Sequence, residues 1–266
     1  MKRWRVIAEE DRSNDAGGFP GIPQRLVRSL IWRGVHTAGD LDRYLRPRLS
    51  DLSDPFLLPG MTDAVARIWR GIQQGESILI YGDYDVDGIT SAALMVEVLS
   101  ALGARVACYL PSRLEEGYGL GVQAVQRCIE RYRPSLIITT DCGTGSVDAV
   151  GVARDVGVDV VVTDHHEVSG PVAPAVAIVN PKLGACAAGQ DLAGVGVAFK
   201  VCHALLKAGR DQGLPAVSGA DYEQYVLRTG LQEHDLYAVP APGLAWTNVD
   251  TRADLINAVE SVLLRA

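Results

Sequence analysis

The stretch YGDYDVDGIT at residues 81–90 decides how this chain folds. It follows an apolar run at residues 77–80 and precedes an apolar, helix-like pattern at residues 91–102. That order predicts a buried strand, a tight acidic turn and the start of a helix. Asp83, Asp85 and Asp87 crowd into five residues, and carboxylates that close repel one another unless a cation lies between them. A divalent cation with oxygen ligands is the natural candidate.

The same alternation of strand and helix patterns continues along the chain and predicts an α/β fold. We expect a parallel β-sheet flanked by helices on both faces, because its strands are apolar throughout and alternate with amphipathic helices. The predicted strands cover residues 77–82, 104–110, 135–141, 158–163 and 175–179. The predicted helices cover residues 61–74, 90–102, 120–131, 146–156 and 195–208.

Two shorter segments flank the predicted sheet domain. Residues 1–60 read as a helical N-terminal arm, with short amphipathic patterns at residues 23–32 and 38–44, and we expect it to pack on the main domain. Residues 61–209 form the predicted α/β domain. Residues 210–266 read as a linker and a short, atypical helical tail of uncertain origin.

Charge and cysteine content narrow the function classes. The chain has 25 Lys and Arg against 32 Asp and Glu, a formal charge of −7. This balance excludes a general basic surface for coating nucleic acid and leaves an enzyme open. The cysteines are odd in number and form no C-x-x-C pair, which disfavours a zinc ribbon or a disulfide framework. Without a signal-peptide pattern or a membrane-length apolar run, the sequence predicts a cytoplasmic protein with no membrane partner.

Two further predicted strands also end in metal-binding residue types. One runs into Asp141 and a glycine turn, and the other delivers Asp164, His165 and His166. Carboxylate and imidazole together suit manganese better than calcium, and two such ions can clamp the oxygens of a phosphoryl transfer. Taken singly, the aspartates could be turn residues, and the histidine pair could be a partly buried polar site without a ligand. Together, at the carboxyl ends of neighbouring strands, they predict a metal site.

Five segments resemble, in order, the motifs of the DHH phosphoesterase superfamily. They are GDYDVDG at 82–88, PSRLEEGYGL at 111–120, TTDCG at 139–143, TDHH at 163–166 and AGVGVAFK at 193–200. The pattern is most similar to the RecJ-like branch, the single-strand-specific 5′-to-3′ DNA exonucleases. The resemblance covers about residues 60–208, and it implies that residues 61–209 form a catalytic α/β domain of DHH type.

The resemblance implies a ligand set for one or two divalent ions, with Mn²⁺ expected and Mg²⁺ as the alternative. Asp85 and Asp87 would each bind one ion, Asp141 would bridge the two, and His165 would bind the second. His166 would contact the scissile phosphate, so the implied catalytic residues are Asp141, His165 and His166.

Other residues receive supporting or substrate roles. Asp164 would orient a ligand imidazole. Asp83 is ranked as supporting, because strand alternation would direct its side chain away from the two ligand aspartates. Arg113 could clamp a phosphate, although an ordinary loop with an Arg–Glu pair explains it equally. Gly194 and Gly196 open a helix whose amides could bind a substrate anion, although close helix packing also explains the glycines.

The chain departs from the family pattern in three places. A segment resembling GTVADVVPL, whose aspartate completes the second ion's ligands in RecJ-like proteins, is not found, and Asp235 is the candidate replacement. Tyr81 stands where related phosphoesterases often carry histidine. The G-G-H motif of the usual substrate domain and the OB-fold that grips single-stranded DNA are not found either. We therefore expect water or substrate to complete the metal sites.

These observations favour a phosphodiesterase that hydrolyses single-stranded DNA from the 5′ end by two-metal water activation, as in DNA repair and recombination. The expected partner is single-stranded DNA or a short oligonucleotide. One alternative is a phosphodiesterase of short oligonucleotides or cyclic dinucleotides, which the missing DNA-gripping domains favour. Another is a catalytically weakened binding module or a truncated or fused fragment.

Overall fold

The computed structural model describes residues 19, 21–46, 52–111, 119–184, 189 and 192–211. They fall into two compact units that divide between Asp54 and Pro55. Arg113, Asp235 and residues 212–266, which include nearly all of the predicted linker and tail, lie outside the described residues. In the part that is described, no helix has the length and apolar character needed to cross a lipid bilayer.

The N-terminal unit contains two short helices, as the sequence predicts. Helix α1 spans Gln24–Ile31 and helix α2 spans Ala38–Leu45. Thr37 and Asp40 begin α2 with a reciprocal capping box, in which each side chain accepts a hydrogen bond from the other residue's amide. A small apolar cluster centred on Phe19, Val27 and Val35 holds the unit together.

The second unit is built on a five-stranded parallel sheet, which confirms the predicted fold class. Its strands are β1 (Ser77–Gly82), β2 (Arg105–Tyr109), β3 (Leu136–Thr140), β4 (Asp159–Thr163) and β5 (Ala177–Val179). Their spatial order is β2-β1-β3-β4-β5, and every neighbouring pair is parallel. The chain leaves β1 for one edge and later returns to its other side, so the carboxyl ends of β1 and β3 mark the switch point where such sheets bind ligands.

Helices cover both faces of the sheet. They are α3 (Met61–Gln73), α4 (Val86–Ala101), α5 (Val122–Tyr132), α6 (Val147–Asp155) and α7 (Gly194–Asp211), with short 3₁₀ turns at Pro55–Leu57 and Pro181–Leu183. Alternate β1 residues point to opposite faces. Ile78 and Ile80 pack with α3, α4 and α7 in one core, whereas Leu79 and Tyr81 pack with α5 and α6 in the other.

Helix α4 begins at Val86, four residues before the predicted start at residue 90. Asp85 is its N-cap, and the Asp85 side chain accepts a hydrogen bond of 2.9 Å from the Gly88 amide. Aspartate is a preferred N-cap because it satisfies an amide that the first helical turn leaves without a partner. The second half of the acidic stretch, from Asp85 onward, therefore forms the start of a helix and not a free turn.

Candidate metal centre

Four polar residues follow directly after β1, β3, β4 and β5, and they lie in register across the sheet. They are Asp83, Asp141, Asp164 and Asn180, here called the strand-end row. The last residues of the four strands pair with one another, and each aspartate of the row donates its amide to the next strand. All four residues are buried, with at most 2% of each residue exposed. A parallel sheet thus gathers four residues that are far apart in the sequence.

Asp141 is the most constrained member of the row. Its φ of 63° is left-handed, which is unusual for a residue other than glycine. Its Oδ1 is buried and accepts no hydrogen bond, although Nε2 of His165 lies 3.1 Å away. Burial, and then the charges of Asp87 and Asp85, raise the pKa of the Asp141 carboxyl to about 8. A cation at this carboxylate would offset both effects.

Asp83 also directs an oxygen into the centre. Its Oδ1 accepts the Tyr84 amide at 2.8 Å, whereas its Oδ2 is buried without a hydrogen-bond partner. Burial raises the pKa of Asp83, the Tyr84 amide offsets part of that rise, and Asp85 adds to it. The structure groups Asp83 with Asp85, contrary to the alternation argument. The reason is that β1 ends at Gly82 and the chain turns at once into α4.

The ligand atoms form two groups that share Asp141. One consists of Asp83, Asp85 and Asp141, and the other of Asp141, His165 and His166; within each group the atoms lie within 4.8 Å of one another. The oxygen-only group suits a hard cation such as Mg²⁺ or Mn²⁺, and the group with two imidazoles suits Mn²⁺ or a similar transition ion. The unpartnered oxygens of Asp83 and Asp141 show that the residues present fit a bound cation.

Asp87 lies beside these groups and holds the start of α7. Its two carboxylate oxygens accept the amides of Gly194 at 2.6 Å and Val195 at 2.7 Å. The sequence predicts that a substrate anion binds the amides at this helix N-terminus. In the structure the Asp87 carboxylate accepts them instead, so the Gly194 amide already has a hydrogen-bond partner. Nε2 of His165 lies 3.6 Å from Oδ2 of Asp87, so Asp87 still borders the second group.

His166 belongs to a closed ring of hydrogen bonds that joins four residues. The Asn180 amide group donates to the Thr144 hydroxyl at 3.0 Å and to the His166 carbonyl at 3.1 Å. The Thr144 amide donates to Asp164 at 3.0 Å, and Oδ1 of Asp164 lies 2.7 Å from Nδ1 of His166. The imidazole that Asp164 orients is thus that of His166.

The hydrogen bonds that Asp164 accepts within this ring also keep its carboxylate ionised. Burial by itself raises the pKa of Asp164, but hydrogen bonds from Thr144 and His166 outweigh it and leave the pKa below its usual value. An ionised carboxylate can only accept, so Nδ1 of His166 carries the proton. The ring therefore fixes both the orientation and the tautomer of the imidazole.

Tyr81 belongs to the core. Its hydroxyl donates to the Gly119 carbonyl at 3.1 Å, and its ring packs on Tyr109 with centroids 5.7 Å apart. Gly196 also has a packing role, because a β-carbon there would lie 3.0 Å from the Leu192 side chain. Asn180 was missed by the sequence reasoning, although a polar residue directly after an apolar run was the available signal.

The fold and this cluster define an α/β protein with a candidate divalent-metal centre at the carboxyl ends of its parallel strands. The family described as DHH family, N-terminal domain, matches residues 77–223, more than half of the chain. The chain belongs to the DHH family.

Named relatives refine the resemblance. The chain is 48% identical over 207 residues to the single-stranded-DNA-specific exonuclease RecJ of Bacillus subtilis (strain 168), a match that covers 77% of this chain and 26% of that relative. It is 39% identical over 194 residues to the Escherichia coli (strain K12) protein of the same description, which covers 72% of this chain and 33% of the relative. The chain thus spans about a quarter to a third of the length of these relatives.

Two solved structures share the fold. One is described as exonuclease RecJ bound to manganese, with 37% identity, a TM-score of 0.54 and coverage of 60% of this chain and 40% of that one. The other is RecJ in complex with Mn²⁺ from Thermus thermophilus, with 31% identity, a TM-score of 0.57 and coverage of 72% and 26%. The predicted family resemblance is confirmed.

Proposed function

We propose that this chain is a manganese-dependent phosphodiesterase that hydrolyses single-stranded DNA from its 5′ end. The observation that carries the proposal is the pair of ligand groups joined at Asp141, with two buried carboxylate oxygens that accept no hydrogen bond. The names of the relatives support the substrate class, and the manganese-bound relatives support the metal.

If two ions bind, each would take one of the two ligand groups, and Asp141 would belong to both. Asp83 and Asp85 lie on one side of that bridge and His165 lies on the other, while Asp87 borders the second group through His165. His166, which groups with His165, would be left for the substrate. Divalent cations held there would supply a water of lowered pKa and positive charge opposite the phosphate. Asp141 would hold both ions in one arrangement, because its buried carboxylate is fixed at the end of β3.

His166 is the residue best placed to meet the substrate. Its side chain is 43% exposed, whereas the side chain of Asp164 behind it is 3% exposed. With Nδ1 held by Asp164, Nε2 is the ring atom that faces the substrate, and it donates to a phosphate oxygen when the imidazole is protonated. This role places the scissile phosphate at the edge of the second ligand group, where a positioned imidazole can stabilise developing charge.

The test uses Asp141→Asn, since asparagine tolerates a left-handed φ better than alanine does. Release of nucleotides from a long single strand in Mn²⁺ should require the wild-type residue. Asp148→Asn provides the control, because Asp148 is an acidic residue in the first turn of α6 that belongs to neither ligand group. Equal activity of wild type and Asp141→Asn would overturn the proposal.

Direction is tested separately with strands labelled at one end. A 5′ label should appear first as a mononucleotide, whereas a 3′ label should stay on a gradually shortening strand. The reverse order would assign the opposite direction. Turnover of a dinucleotide that matches or exceeds that of the long strand would favour a phosphodiesterase of short oligonucleotides instead.

A further inference from the structure

Helix α1 turns one side to the core of the N-terminal unit and leaves another side exposed. Val27 is buried in the apolar cluster of that unit, and Leu30 and Ile31 pack against the cluster. Arg28 and Trp32 are both exposed. They lie four residues apart, a spacing that makes them neighbours on one helix face. The Trp32 amide donates to the Arg28 carbonyl at 3.1 Å, so the helical path continues as far as Trp32.

Arg33 extends this exposed side. Its Nη1 donates to the Ser29 hydroxyl at 2.6 Å and to the Ser29 carbonyl at 3.1 Å, which draws the guanidinium back along α1. These bonds engage Nη1, so Nε and Nη2 keep donors for an anion. Arg28, Trp32 and Arg33 are here called the α1 outer face.

The N-terminal unit carries local positive charge in an acidic chain. Residues 21–46 contain five Arg and two Asp, whereas the whole chain has 25 Lys and Arg against 32 Asp and Glu. Arg43 and Arg46, at the end of α2, are paired with aspartates of the same helix. Arg28 and Arg33 have no carboxylate partner among the described residues. The α1 outer face therefore presents two positive charges that can attract an anionic partner.

Trp32 adds an aromatic ring to this charge. Tryptophan is highly buried on average in folded proteins, whereas 63% of Trp32 is exposed. Proteins that bind single strands without sequence preference combine positive charge along the backbone with aromatic rings on which bases stack. A purely apolar partner would instead desolvate two guanidinium groups without giving them an acceptor. The chemistry of the face thus favours a strand with accessible bases and a charged backbone.

We propose that the α1 outer face is a binding surface for single-stranded DNA. Trp32 stacks on a base, and Arg28 and Arg33 contact the neighbouring phosphates. The choice of partner rests on the proposed function, but the surface shares no residue with the candidate metal centre. It would hold the strand independently of the ions that hydrolyse it.

The first test measures the stacking. Fluorescence anisotropy compares a labelled oligothymidylate with an abasic strand of equal length, on the full chain in EDTA so that no metal-dependent hydrolysis occurs. Trp32→Ala should weaken binding of the oligothymidylate by roughly fivefold or more, the scale of one stacked base. Binding of the abasic strand should not change, and Trp32→Phe should recover much of the loss because it keeps a ring.

Leu26→Ala is the control for loss of an exposed apolar side chain. Leu26 is 54% exposed on the same helix, but it lies six residues before Trp32 and so about 120° away around the helix. Its affinity for both strands should match that of wild type. Equal affinity of wild type and Trp32→Ala for oligothymidylate, or an equal loss on both strands, would overturn the proposal.

The second test measures the phosphate contacts. The slope of log K against log salt is about −0.7 for each phosphate contacted on a single strand, so Arg28→Gln with Arg33→Gln should make it shallower by about 1.4. Arg46→Gln removes a paired charge from the same unit and should leave the slope unchanged. The same change of slope in Arg46→Gln would reduce the effect to general charge and contradict the proposal.

These measurements also separate failure of the surface from failure of the proposed function. A chain that hydrolyses no DNA in Mn²⁺ would refute the proposed function, while binding in EDTA would still decide the surface. Two further results would assign the face to another partner and overturn the proposal. One is a wild-type dimer in sedimentation that Trp32→Ala separates into monomers. The other is binding of oligoglutamate that depends on Trp32 as strongly as binding of DNA does.

Discussion

Gly194 lies so close to the carboxylate of Asp141 that no side chain fits between them. A β-carbon at Gly194 would lie 2.6 Å from Cγ and 2.8 Å from Cβ of Asp141. The same glycine donates its amide to Asp87 at 2.6 Å. One residue at the start of α7 therefore contacts two carboxylates of the candidate metal centre, one after β3 and one in α4.

Gly194→Ala should displace Asp141 and disturb the centre. We expect Mn²⁺ affinity to fall by roughly tenfold or more, as it does when groups that orient ligands are lost. The overpacked site should also lower the free energy of unfolding by about 1–3 kcal/mol. Calorimetric titration with Mn²⁺ and urea unfolding measure the two effects.

Gly196→Ala is the control for that substitution. Its β-carbon would lie 3.0 Å from the Leu192 side chain, which can rotate, and not against a ligand carboxylate. Its Mn²⁺ affinity should remain at the wild-type level. A Gly194→Ala protein that binds Mn²⁺ as tightly as Gly196→Ala would show that Asp141 has room to move.

Asn180→Asp should impair catalysis more than metal binding. The change keeps the size of the side chain but replaces the donor to the Thr144 hydroxyl and the His166 carbonyl with a buried carboxylate oxygen. An unsatisfied buried group costs about 1–3 kcal/mol of stability. Because the ring then holds His166 less firmly, we expect kcat to fall while the affinity for Mn²⁺ stays near that of wild type. NMR of the His166 Nδ1 proton reports the loss of orientation directly. If kcat is unchanged although stability is lost, Asn180 has a structural role alone.

The strand ends were readable from the sequence because each has a local signal. An apolar run that stops at an aspartate marks Asp83, Asp141 and Asp164, and the parallel-sheet pattern then aligns those ends. The start of α4 was misplaced because Asp85 is an N-cap, and its neighbours fit a turn equally well.

Contacts between distant segments could not be predicted in the same way. Asp87 and Gly194 are separated by 107 residues, and no local pattern indicates that a carboxylate in α4 caps α7. The ring that includes Asn180 joins three strand ends, so its geometry depends on the register of β4 and β5. Sequence reasoning found the residue types of the centre, while the partners of each residue required the fold.

The capping box of α2 predicts a pH-dependent helix in the N-terminal unit. Hydrogen bonds from Thr37, then from His36 and Arg43, lower the pKa of Asp40 from 3.8 to about 2. A carboxyl with a lowered folded pKa stabilises the fold above its unfolded pKa, and that contribution is lost as the pH falls through the folded value. The contribution of Asp40 should therefore disappear between about pH 4 and pH 2.

Hydrogen exchange at the α2 amides compares wild type with Asp40→Asn across that range. Protection should be greater in wild type above about pH 4, and the difference should vanish near pH 2. Asp42→Asn is the control, because Asp42 pairs with Arg46 at an exposed position and does not cap the helix. A constant difference between wild type and Asp40→Asn at all pH values would contradict the linkage.

Asp83→Asn decides whether Asp83 supports the centre or binds metal. Its buried Oδ2 has no hydrogen-bond partner and groups with Asp85 and Asp141, so we expect the substitution to lower Mn²⁺ affinity by roughly tenfold or more. The rise in Tm that Mn²⁺ gives wild type by mass action should shrink accordingly, whereas Asp148→Asn should keep it. Unchanged affinity would mean that Asp85 and Asp141 hold this ion without Asp83. Asp83 would then have the supporting role inferred from the sequence, even though its side chain points toward the other two carboxylates.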